Sequence, residues 1–408
     1  MVRPFGMAVA ILLLGAAISI DALEDWPQWR GPRRDGVSTE RGLLKSWPQN
    51  GPPRAWTAKG AGDGYSSFAA AGGRLFTLGA RGEREFVVAY DAATGKRLWE
   101  TPHGRRFTND RGDGPRSTPT VDGSRVYAFG ASGDLTALDA ASGSIAWTVN
   151  VIRDFGGQNI NWGLSESPLV ATDRVIVSPG GADASIVAVS KTDGKLLWKS
   201  QGDRAGYSSA VLHELGGIRQ AIFFTGQRAL GLDIANGRVL WSYNRVANRV
   251  ANIATPIVRG DRVFLSSDYG TGAALLQLTA SGGGIDAREV YFTREMRNHH
   301  ASSVLVGDYL YGFSSAILTA MRFDTGEVAW RDRSVGKGSL VYADGRLYLF
   351  SERGDVALAE ATHEAYREHG RFTLDIGALP TWSHPVVSNG LLFLRDQDTV
   401  YAYDVRSR

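Results

Sequence analysis

Hydrophobic residues in this chain fall in short runs separated by glycine-centred turns, and no long segment holds the 3.6-residue period of an amphipathic helix. Five of the runs end alike: "YDAATGKRLW" at Trp99, "LDAASGSIAW" at Trp147, "VSKTDGKLLW" at Trp198, "LDIANGRVLW" at Trp241 and "RFDTGEVAW" at Trp330. In each, a glycine stands four residues before the tryptophan, in a polar turn where positive φ closes a hairpin. The tryptophan then falls on the strand leaving that turn. The tails recur roughly every 46 residues, the period of a four-stranded propeller blade. Trp56 sits in another such strand, Tyr291 and Phe372 mark degenerate repeats, and the last repeat, Trp382 to Val405, has only three strands. The pattern predicts an all-β, eight-bladed β-propeller, its ring closed when the Trp56 strand joins the last blade. Blades pack on both faces, which suits strands that are apolar on both faces. Residues 360–370 are the one helix-like stretch and read as an elaborated loop in the seventh blade.

Aligning the first strand of each blade puts Tyr65, Arg116, Ser165, Tyr207, Ile253, His300, Lys337 and Trp382 in one column. Two residues on lie Ser67, Thr118, Ser167, Ser209, Thr255, Ser302, Ser339 and His384, followed in four repeats by Pro119, Pro168, Pro256 and Pro385. Proline cannot donate to a ladder, so these strands are edges, and in a propeller the inner edge faces the central channel. The columns therefore predict a ring of side chains around one channel mouth. The candidate ligand-binding set is Arg116, Glu166, Tyr207, Asn252, His299, His300, Lys337, Trp382 and His384, with Glu166 and Asn252 one step off the column. Arg116 and Lys337 suit an anionic ligand, unless they pair with Glu166 or Asp113. Glu166 and Asn252 offer oxygens to a hard cation such as Ca2+, unless Glu166 simply pairs with an arginine. His299 and His300 are neighbours, and on an extended strand neighbours point to opposite sides. With no HExxH-like spacing either, no transition-metal site is expected. No Ser-His-Asp or paired-carboxylate spacing can be drawn, so catalytic residues stay unassigned.

The N-terminus adds a location. Arg3 precedes an apolar run over residues 7–20 and then small residues, the form of a secretory signal peptide over residues 1–22. The run falls short of the roughly 20 apolar residues that span a bilayer, and no later segment is longer. Residues 23–408 then form a single propeller domain, with 23–50 as an N-terminal arm, and the protein is expected to be periplasmic or secreted. It has no cysteine, so neither disulfides nor a lipid-attachment thiol are available. The 45 basic and 42 acidic residues are interspersed, leaving a net charge of +3 and no basic face. Nucleic acid is therefore not an expected partner. The one basic cluster, "WRGPRR" at residues 29–34, reads as a solvated arm.

The Asp-x-x-Thr-Gly-x-x-x-Trp tail resembles the tryptophan-docking repeat of pyrroloquinoline quinone (PQQ)-type propellers. The resemblance covers essentially the whole chain after the signal segment. It implies two well-known branches, the quinoprotein dehydrogenases and the lipoprotein of outer-membrane β-barrel assembly. The segments "DWPQWRGPRRDGVS", "WGLSESPLV", "NHHASSVLVGDY" and "GKGSLVYADGRLY" are most similar to a third, exported PQQ-like repeat proteins, for which the fold is implied more firmly than an activity. The dehydrogenase pattern implies Ca2+ held by Glu, Asn and Asp, and PQQ between a tryptophan and a vicinal cysteine pair. Glu166, Asn252 and either Trp162 or Trp382 could fill three of those roles, but the cysteine pair is missing and the blades are minimal. The expected function is an exported, monomeric scaffold that binds a small-molecule or anionic ligand, or a protein, at the channel mouth, without cofactor. The alternative is a quinoprotein dehydrogenase using PQQ and Ca2+.

Overall fold

The computed structural model describes residues 25–200 and 202–407, so the expected signal peptide lies outside the described residues. From the channel outwards, the first blade consists of Ala69–Ala71, Arg74–Arg81, Arg84–Asp91 and Arg97–Arg105, all antiparallel. Seven further sheets follow, giving the eight blades that the repeats predict. The last blade takes Val386–Ser388, Leu391–Asp396 and Thr399–Asp404 from the C-terminus and Arg54–Lys59 from the N-terminus. Trp56 lies opposite Ala402 and Thr57 opposite Tyr401, which closes the ring. Residues 361–367 are a loop leading into Glu368–Thr373 in the seventh blade, and the one helix among the described residues is the single turn Val151–Phe155.

The repeated tryptophan locks each blade to the next. Trp198 lies against Gly237 of the following blade and donates its indole N–H to Ile234 O at 3.0 Å. Trp56, Trp99 and Trp147 do the same with Gly95, Gly143 and Gly194, donating to Ala92 O, Ala140 O and Lys191 O. The degenerate repeats keep the contact with other rings: Tyr291 covers Gly326, and Phe372 covers Gly51. Trp241 is the exception and bonds Gln220 of its own blade at 2.7 Å. The fifth blade carries a long outer hairpin, Gly272–Ser281 and Gly284–Thr293, and no ring docks on its Gly282–Gly283 turn.

The turn glycine is doubly required. At Gly237 φ is +75°, and a Cβ would lie 2.4 Å from the Trp198 ring. Gly237→Ala is expected to destabilise the protein by about 3 kcal/mol, from backbone strain plus a displaced indole. Gly345→Ala, at φ +80° but with nothing within 4 Å, should cost only about 1 kcal/mol. Denaturant midpoints measure the difference; equal losses would mean that ring contact contributes nothing.

The segment "WRGPRR" departs from expectation. It is not solvated: Arg30 and Arg34 are 4% and 3% exposed, inside the central channel. The inner strand of every blade is an edge, so its outward-facing carbonyls need donors. A guanidinium carries five donors in a fixed fork and can serve several carbonyls at once. Arg34 donates to Ser167 O (3.2 Å), Ala210 O (2.9 Å) and Pro168 O, and Arg30 to Ser302 O (3.2 Å) and Ser303 O (2.6 Å). Trp26 bridges Ala70, Pro27 O accepts from Val121, and Val37–Ser38 adds a parallel fifth strand to Gly338–Ala343. With Trp29 reaching Thr255 and His384, the arm touches all eight blades. Arg33, between the two buried arginines, points to solvent and pairs with Asp35.

Candidate ligand-binding site at the channel mouth

The Ser/Thr column is a belt that ties inner strands together. Ser67 N–H donates to Thr118 Oγ1 at 3.2 Å, Thr118 N–H to Ser167 Oγ at 3.0 Å, and Ser167 N–H to Ser209 Oγ at 2.9 Å. Thr255 N–H donates to Ser302 Oγ at 2.8 Å in the same way. Just above this belt, the column containing Tyr65 and Arg116 turns its side chains into a cavity of about 490 Å³. The arm's partners lie further along the same strands (Ala70 beyond Tyr65, Ala210 beyond Tyr207), so the arm closes the channel beneath the cavity.

The walls are aromatic. Tyr65 packs on Trp382 (ring centroids 4.8 Å apart), Trp162 on Tyr207 (5.5 Å) and Tyr269 on His299 (5.2 Å). Arg116 and Lys337 stand among them, with Arg111 a third cation in the lining. Arg116 lies over the Tyr65 and Phe107 rings at 5.5 and 5.0 Å and donates to Gly112 O at 2.6 Å. Lys337 is 3.3 Å from Glu352, whose other role is to accept the Trp382 indole N–H at 3.1 Å. Glu352 and the backbone carbonyls thus fix the basic groups in place.

The histidines are held neutral. Burial, with the Lys337 charge second, lowers His299 to about 4; burial, with Arg30 second, lowers His384 to about 3. Burial, with His384 and His299 nearby, puts His300 well below the usual histidine range. His384 donates from Nε2 to His300 O at 3.2 Å, and His299 Nε2 meets the Tyr269 hydroxyl at 2.9 Å. The Nδ1 atoms of His299 and His300 are buried with no hydrogen-bond partner among the described residues. His299 and His300 both line the cavity although adjacent, because the backbone at residues 299–301 is bent rather than extended.

Seven of the nine candidate residues therefore meet at one mouth: Arg116, Tyr207, His299, His300, Lys337, Trp382 and His384. Glu166 and Asn252 do not join them. One step off the column, the side chain turns away from the channel. Glu166 is buried and accepts the Ser178 N–H, as Ser66 accepts that of Leu78 in the first blade. Burial raises it to about 8, offset by that N–H and by the charge of Arg34. Asn252 accepts from Asn248 N–H at 2.9 Å and donates to Thr225 O at 2.8 Å, beside a smaller pocket with Arg204 and Arg249. A Ca2+ ion held by Glu166 and Asn252 does not fit: their oxygens do not converge, and no residue lining the cavity carries a carboxylate. The described residues also contain no cluster of three or more His, Cys, Asp or Glu able to hold a metal. Trp29, Arg111 and Tyr269 line the cavity too, and no repeat position marks them in the sequence.

Eight four-stranded blades, indoles docked on turn glycines and a blind cavity at one mouth define a PQQ-repeat propeller scaffold. Within that class the chain belongs to the family described as outer membrane protein assembly factor BamB, whose profile matches residues 51–150 and 83–332. It is 24% identical over 284 residues to the outer membrane protein assembly factor BamB of Yersinia pestis, covering 57% of this chain and 70% of that protein. The crystal structure of BamB from Moraxella catarrhalis superposes with a TM-score of 0.63 at 16% identity, over 86% of this chain and 99% of that one. Quinohemoprotein alcohol dehydrogenase from Comamonas testosteroni gives 0.66 at 13% identity, over 94% and 81%. At such identities the two structures share the fold. No helix among the described residues is long and apolar enough to cross a membrane.

Proposed function

We propose that this protein is an exported, monomeric binding propeller, periplasmic or secreted, whose channel-mouth cavity holds a small planar anion. The observation that carries this reading is the cavity itself: paired, tilted aromatic rings in the walls, Arg111, Arg116 and Lys337 in the lining, and no carboxylate in the lining. Its volume is that of a small-molecule site. Aromatic faces favour a flat ligand, and Arg116 and Lys337 favour negative charge. The family match also supports a protein partner for the same scaffold, as the name of the relatives suggests. The dehydrogenase reading has less support, since the oxygen ligands for Ca2+ are not assembled and the chain has no cysteine pair.

The test uses PQQ, a planar tricarboxylate, as probe. Titration followed by its absorbance and by tryptophan quenching is expected to show binding that does not depend on Ca2+. Lys337→Met or Arg116→Met should weaken it about tenfold or more, the loss of one charged hydrogen bond. No binding at millimolar probe would end the planar-anion reading. Ca2+-dependent binding with dye-linked alcohol oxidation would establish the dehydrogenase instead.

A further inference from the structure

We infer that Trp29, which belongs to the N-terminal arm and to no blade, is the floor of this site and determines how deep and how flat a ligand must be. The inference rests on the binding reading above and adds a residue and a selectivity to it. Trp29 is the one member of the arm that lines the cavity. Its indole N–H donates to Thr255 Oγ1 at 2.9 Å, and its ring lies against His384 at 4.5 Å between centroids, tilted 55°. In the belt, the hydroxyls of Thr118, Ser167, Ser209 and Ser302 each accept a neighbouring blade's backbone N–H. At Thr255 the hydroxyl takes the indole instead, so one position of the belt serves to hold the floor.

The backbone leaves the ring little choice of position. Arg30 sits at φ +59° and Gly31 at φ +83°, a tight left-handed turn immediately after the indole. A Cβ on Gly31 would lie 2.8 Å from the Trp26 ring, so the turn is packed from behind. Arg30 fixes its far side through Ser302 O, Ser303 O and Asp35 O at 3.2, 2.6 and 2.7 Å. Above the floor stand Trp382 with Tyr65 and Trp162 with Tyr207. A flat conjugated ligand can bring its face to such a surface, whereas a branched aliphatic anion can use only the cations of the walls. The floor therefore selects planar anions over non-planar ones of equal charge.

The experiment compares PQQ with citrate, an aliphatic tricarboxylate, on the full chain and on Trp29→Ala, Trp29→Phe and Thr255→Val. Wild type should prefer PQQ. Trp29→Ala should lose about tenfold in PQQ affinity, Trp29→Phe about two- to threefold, and citrate binding should not change. Thr255→Val keeps the volume of the site but releases the indole, and should also weaken PQQ alone. If Trp29→Ala fails to fold by circular dichroism, the Thr255→Val and Trp29→Phe pair carries the test. PQQ affinity unchanged in the folded variants, or lost equally for PQQ and citrate, would overturn the floor assignment while leaving the binding reading intact. Failure of wild type to bind PQQ removes both.

Discussion

A chain beginning at Gly60 is expected not to form a closed ring. It would lack the outer strand Arg54–Lys59 and everything that fills the channel. Trp26, Leu43 and Trp47 are buried in one cluster with Val387, Leu392 and Val400 of the last blade and Leu75 and Val88 of the first. Losing a buried tryptophan alone costs about 3–5 kcal/mol, and a domain of this kind holds only about 5–15 kcal/mol in total. Removal should therefore lower the melting temperature by more than about 10 °C or abolish the cooperative transition. A synthetic peptide of residues 25–59 should restore the melt, since an exposed sheet edge accepts a donated strand. A truncated chain that melts like the full one would refute closure by the N-terminal strand.

The second large effect is concentrated in one side chain. Arg34→Met is expected to cost about 3–5 kcal/mol, because the inner-edge carbonyls of Ser167 and Ala210 lose their side-chain donor and Pro168 O is left with the Thr120 hydroxyl alone. Arg34→Lys should recover little, as an ammonium cannot span carbonyls of two blades with a planar fork. Burial lowers the Arg34 guanidinium to about 9, the charge of Glu166 opposing that shift. Its stability contribution is thus held back by desolvation, so the loss reflects unsatisfied carbonyls more than lost charge. Arg33→Ala, one residue away but exposed, should change stability by less than about 0.5 kcal/mol. Chemical denaturation of the three variants decides; equal effects at Arg33 and Arg34 would sink the account.

What the sequence disclosed follows from what is local and periodic. The turn glycine and the ring four residues after it share one hairpin and recur along the chain, so both positions are legible in the spacing, although each ring docks on the turn of the next blade. The Tyr65 column is legible for the same reason, since equivalent inner strands present equivalent residues to the channel. Glu166 and Asn252 were misplaced because a single step along an extended strand turns a side chain to the other side. His299 and His300, both expected at the mouth, reach it together because a bend at residues 299–301 brings inwards two neighbours that an extended strand would part. The arm was illegible for a different reason. Arg30 and Arg34 answer carbonyls contributed by separate blades, and no window of sequence holds both the donors and their acceptors. Charged residues beside a proline and glycines read as solvated when only their neighbours are seen.

Closure by Arg54–Lys59 also sets an order of events. The strand that completes the ring is synthesised long before its partner, Thr399–Asp404. At about 5–20 residues per second, the roughly 340 residues between them take about a quarter of a minute to a little over a minute. Through that time the Trp56 strand has its docking turn at Gly95 but no edge to pair with, and the arm has no complete channel to enter. The nascent chain therefore carries its keystone loose, and the propeller's lifetime as an open, capturable intermediate is dictated by its own length.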